Sequence, residues 1–86
     1  GAARADHHVD GLEATAKTIP GVIELHELKT RREGPGIIME GHLVLHSDIS
    51  LKEAHNISKK VEESLRKEFG PETQISLHLE PEDDAE

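Results

Sequence analysis

Two stretches of strict alternation enclose one long amphipathic helical pattern, and that succession decides most of what this chain can become. From Ile37 to His46, the residues Ile37, Met39, Leu43 and Leu45 share one parity, and Ile38, Glu40, His42, Val44 and His46 share the other. A period of two is the mark of a strand with two unlike faces. From Thr73 to Glu80 the pattern repeats, with Ile75, Leu77 and Leu79 opposing Ser76, His78 and Glu80, and Pro81 closing the strand. Between them Leu51, Ala54, Ile57, Val61, Leu65 and Phe69 recur at helical spacing and predict one buried stripe. Ser50 followed by Glu53 predicts a capping box, and Gly70-Pro71 predicts the helix end. Glu62–Arg66 and Glu63–Lys67 stand four residues apart on the exposed side.

Upstream, Val22 to Arg32 reads as a strand whose apolar residues change parity, which predicts a bulge near His26. Glu33-Gly34-Pro35-Gly36 is a turn, so the first two strands form an antiparallel hairpin. Val9, Leu12, Ala16 and Ile19 predict a helix over about Val9 to Thr18, capped by Asp6 or Asp10 and stopped by Pro20-Gly21. Residues 1–8 read as a disordered segment, 9–81 as the domain and 82–86 as a solvated acidic tail. The order is α-β-β-α-β. The expected fold class is α+β, a two-layer sandwich of ferredoxin-like arrangement with a three-stranded, mainly antiparallel sheet.

At 86 residues this is one domain with a thin core, 34% apolar, with Phe69 its single aromatic. Such a chain buries only about 60% of its unfolded surface, so a homodimer partner or a metal is expected to help. The net charge of −8 excludes nucleic acid as a partner, which needs a basic face. No apolar run is long enough to insert in a membrane. The chain opens Gly1-Ala2-Ala3 with no initiator Met, so it is expected to be a piece of a longer protein, which leaves room for a membrane portion upstream. Without cysteine, any metal must use His, Asp, Glu, carbonyl or water.

Seven histidines in such a chain is a high density. His42 and His46 share a face of the second strand, and His78 and Glu80 share a face of the third. All oppose the core parity, so an imidazole cluster with a carboxylate is expected on the uncovered face of the sheet. Such a donor set suits zinc or a similar divalent ion. A single exposed histidine is ordinarily just solvated, and His7, His8 and His46 are read that way. Catalysis finds no support. Ser47, Ser50, Ser58 and Ser64 lie in no nucleophile motif, and no glycine-rich phosphate loop exists, so the chain is not expected to be an enzyme.

Four segments in register add a resemblance. Ile19-Pro20-Gly21-Val22 with His26-Glu27-Leu28-Lys29-Thr30-Arg31 resembles the "IPGV…HDLRTR" of the cytosolic C-terminal domain of cation diffusion facilitators. Gly41-His42-Leu43-Val44-Leu45, Ser50-Leu51-Lys52-Glu53-Ala54-His55-Asn56-Ile57 and Ile75-Ser76-Leu77-His78-Leu79-Glu80-Pro81 resemble three further strings of that family. The match covers roughly residues 10 to 81.

The resemblance implies a regulatory domain on the cytoplasmic face of a membrane. It would hang below the transmembrane domain of a divalent-cation/proton antiporter, form a homodimer, and bias transport when metal binds. Metal ligands would be His26, His42, His78 and Glu80, with His55 contributed by the neighbouring subunit. Zinc is the first expectation, and manganese or iron are the alternatives. The terminal ligand of the family is often Asp, and here it is the longer Glu80. The alternative function is a purely structural dimerisation module with incidental histidines. A free metallochaperone normally presents a cysteine pair, which this chain lacks.

Overall fold

A computed structural model describes residues 11–82. The expected helix start at Val9 lies outside that range, as do its candidate caps, His7, His8, the N-terminal segment and tail residues 83–86. Within it, α1 covers 11–16 and ends two residues before the expected Thr18. The chain leaves α1 through tighter bonds, from Thr18 N–H to the Thr15 carbonyl (3.0 Å) and from Ile19 N–H to the Ala16 carbonyl (3.1 Å).

β1 (Val22–Glu33) and β2 (Gly36–Leu45) form the expected antiparallel hairpin. Its two-residue loop places Gly34 at φ +59°, a positive value that matches the primed hairpin turns and that glycine adopts freely. α2 (Leu51–Phe69) then crosses to β3 (Gln74–Pro81), and the strand order is β1-β2-β3. β3 runs parallel to β2. The sheet is therefore mixed, with one antiparallel and one parallel pair, rather than mainly antiparallel. Alternation carries no strand direction; the helical crossover does, because it returns the chain to the end where β2 began.

The core joins Leu12 and Ala16 of α1, Leu25 and Leu28 of β1, Met39, Leu43 and Leu45 of β2, and Ile57, Val61 and Leu65 of α2. Both helices thus contribute to one apolar layer beside the sheet. Ser50 caps α2, its Oγ accepting the Glu53 N–H at 3.1 Å. The reciprocal half of the capping box, from Glu53 back to Ser50, is absent among the described residues. Gly70 at φ +105° ends the helix, its N–H donating to the Arg66 carbonyl at 2.7 Å. Arg66 also pairs with Glu62 at 3.5 Å, as the four-residue spacing predicts.

Three core expectations are corrected. Leu51 is 87% exposed, because the buried part of the stripe begins only at Ile57 and leaves the first turn of α2 in solvent. Leu79 is 37% exposed, because β3 is an edge strand with a neighbour on one side only. Val44 has the parity of the histidines and is nevertheless buried. It lies on the central strand, with a strand on each side and Glu24 and Glu80 as its register partners.

Candidate metal centre

The register of the sheet assembles the site. His26 of β1 stands opposite His42 of β2, and His42 stands opposite His78 of β3. Each strand thus contributes one imidazole to a single row across the sheet. Ring centroids are 5.4 Å apart from His26 to His42, and 5.4 Å from His42 to His78. Glu80 follows His78 by two residues and shares its face. Its Oε2 accepts from His42 Nδ1 at 2.5 Å and lies 4.0 Å from His78 Nε2. Its Oε1 lies 3.9 Å from His26 Nε2. One carboxylate is within reach of all three rings.

The electrostatics follow from that placement. The hydrogen bond from His42 holds the Glu80 carboxyl below its usual range, against an opposing contribution from desolvation. The charges that His42, His78 and His26 carry when protonated act in the same direction as the hydrogen bond.

The bulge expected near His26 is present as a register shift between His26 and Lys29. Glu27 occupies it with φ +54°, a left-handed conformation that costs a residue with a side chain about 1–2 kcal/mol. Its Oε2 lies 3.2 Å from His42 Nε2. His26, Glu27 and His42 each offer a ligand atom, and these atoms lie within 4.8 Å of one another. Parity alone overlooks Glu27, since in a regular strand it would face away from His26. The signal for it was the bulge itself, which re-aims side chains.

His42 is therefore held between two carboxylates, Glu80 at Nδ1 and Glu27 at Nε2. A neutral imidazole has one N–H to donate. The second contact is satisfied only by a further proton or by a cation between nitrogen and carboxylate. His26 Nε2 adds a related observation, being buried with no hydrogen-bond partner, an arrangement that costs free energy unless something binds there. Imidazole with carboxylate, and no thiolate, suits zinc, manganese or iron by donor type. The residues present fit a divalent ion.

The other candidates lie apart. His55 is exposed on α2, and among the described residues no hydrogen bond, ion pair or ring contact joins it to the row. His46 faces Glu82 at 3.7 Å, at the end of the strand.

Comparison with known proteins agrees with this architecture. A family profile described as "Cation efflux protein, cytoplasmic domain" matches residues 5–82. The chain belongs to that family and is a cytoplasmic domain of a cation efflux protein. The cation-efflux pump FieF of Pectobacterium atrosepticum is 40% identical over 62 residues, which is 72% of this chain and 20% of that pump. FieF of Yersinia enterocolitica is 39% identical over the same lengths. The chain spans about a fifth of the length of these relatives.

Among solved structures, CzrB in its Zn form is similar with a TM-score of 0.75 and 34% identity, covering 93% of this chain and 91% of that one. The metal-bound C-terminal domain of the CzcD transporter from Thermotoga maritima gives a TM-score of 0.74 at 24% identity, with 91% of each chain covered, and supports the fold. These relatives are cation-efflux pumps and transporters or their domains. Among the described residues no helix is long and apolar enough to cross a membrane.

Proposed function

We propose that this chain is the metal-responsive regulatory domain of a divalent-cation/proton antiporter, attached to that protein's transmembrane domain. It acts as a homodimer. Divalent metal, zinc first and manganese or iron as alternatives, binds at His26, His42, His78 and Glu80, with His55 reaching in from the neighbouring subunit. The observation that carries this reading is the row His26–His42–His78 with Glu80 in reach of every ring. The Zn form of CzrB, similar over nearly the whole chain, supports zinc.

The residues divide the work. His42 presents its nitrogens on the central strand, and His26 presents its own from β1 beside it. Glu80 orients His42 through Nδ1 and supplies negative charge. His78, with its side chain 72% exposed, stands at the open edge, where a group from a second subunit can approach. A bound ion supplies directional bonds and two positive charges, which offset the repulsion between two acidic protomers. It shifts an equilibrium between open and closed dimers only by its differential affinity for the closed form.

Calorimetry with zinc and manganese on the wild type and on His78→Ala tests the site. A weaker His78→Ala titration is expected, and equal heats overturn the assignment. Small-angle scattering with and without zinc tests the regulation. A smaller radius with metal is expected; an unchanged radius favours the structural module with incidental histidines.

A further inference from the structure

The bulge in β1 brings a residue to the histidine row that the ligand set above does not include. We propose that Glu27 is a direct ligand of a divalent cation held with His26 and His42 on the Nε2 side of His42. This position is separate from the one where Glu80 and His78 meet on the Nδ1 side. The inference rests on the reading that the row binds divalent metal, and it deepens that reading by assigning the ion a place.

Three observations converge. The first is the ligand geometry. Glu27 Oε2 lies 3.2 Å from His42 Nε2, and the donor atoms of His26, Glu27 and His42 fall within 4.8 Å of one another. A small inward movement of these donors brings all three to metal-ligand distance, about 2.0–2.2 Å from a common centre.

The second is how the bulge is held. Glu27 carries a side chain at φ +54°, where glycine is less strained. The next residue, Leu28, is buried in the core. Leu28 occupies the space beside Gly41, where a Cβ would meet its Cδ1 at 2.8 Å. The core therefore fixes the bulge from one face of the sheet, and the carboxylate is presented to the histidines from the other.

The third is access. Glu27, Lys29, Glu40, Gly41, His42 and Ser76 line an open groove of about 220 Å³, in which two carboxylates outnumber the one ammonium. Ion and water can enter there, and water can complete the coordination.

His42 connects the two sides. When Nδ1–H donates to Glu80, Nε2 has its lone pair free for an ion at Glu27. This is the carboxylate–histidine–metal arrangement, in which the outer carboxylate fixes the tautomer and raises ligand basicity. Glu80 is then a positioning residue for the ion on the Glu27 side.

The test compares zinc affinity and the visible absorption of bound Co²⁺ in the wild-type chain, Glu27→Gln, Glu27→Gly and Glu80→Gln, with thermal melting in chelator as the fold control. Glu27→Gly suits its backbone conformation, so it should melt no lower than wild type. Both Glu27 variants are expected to bind zinc at least about tenfold more weakly and to shift the Co²⁺ spectrum. If both keep wild-type affinity and spectrum while Glu80→Gln loses binding, the ion sits with Glu80 and His78 and the inference falls, with the metal-binding reading intact. Weaker binding with an unchanged spectrum removes Glu27 from the ligand shell and also overturns it. No binding by the wild type defeats the underlying reading itself.

Discussion

His42 Nδ1 and Glu80 Oε2 are 2.5 Å apart, joining the central strand to the edge strand across the only parallel pairing among the described residues. The bond has a consequence in acid. Glu80 has a folded pKa below its ordinary value near 4.5. Its contribution to stability is thus fully present above the unfolded value and lost as pH falls through the lower folded value. Urea midpoints measured from pH 6 to pH 3 should fall more steeply for wild type than for Glu80→Gln. Parallel curves would show that the contact adds nothing to folding.

Metal affinity should respond at higher pH. Imidazole ligands must be neutral to bind, so a bound ion competes with protons for each ligating nitrogen. Apparent zinc affinity should therefore fall on acidification, and more steeply the more histidines ligate. An affinity in calorimetry that does not change with pH would mean that no imidazole takes part.

Two leucines on α2 should behave oppositely. Leu65 is 1% exposed, and Leu65→Ala removes atoms from the packed layer, costing about 2–5 kcal/mol in urea unfolding. Leu51→Ser should change monomer stability by no more than about 0.5 kcal/mol, because its side chain is already in water. If the Leu51 surface meets a second subunit, the same substitution weakens dimerisation, which sedimentation over a concentration series would detect.

Gly21 has φ +97°, and a Cβ there would meet Ile57 Cδ1 at 2.5 Å and Ile49 Cδ1 at 3.1 Å. Gly21→Ala therefore combines backbone strain with displacement of a core side chain. A destabilisation of about 1–3 kcal/mol is expected, and a thermal midpoint within error of wild type would contradict it.

Much of this fold could be read from the chain because each element has local causes. The hairpin follows from alternation broken at Gly34-Pro35. The span of α2 follows from its stripe, Ser50 and Gly70. The bulge follows from the change of parity between Leu25 and Leu28. What escaped depends on relations between elements. The direction of β3 is set by the crossover and not by its own residues. The exposure of Leu51 and Leu79 depends on where the packed layer stops. His42, His78 and Glu80 were legible as one face because strand parity is local, and His26 entered through the resemblance alone. Glu27 was missed because its orientation depends on one backbone angle inside the bulge.

The bulge and the crossover also separate the ligands by when they can meet. His26, Glu27 and His42 belong to one hairpin, whose pairing closes a short loop. His78 and Glu80 reach the row only after α2 has returned the chain, 52 positions beyond His26 (78 − 26). Contacts of short sequence separation form faster than distant ones, and edge strands open before a whole domain unfolds. An ion held by the hairpin alone would survive detachment of β3. An ion sharing Glu80 must be released first, so its presence would show as slowed amide hydrogen exchange along β3.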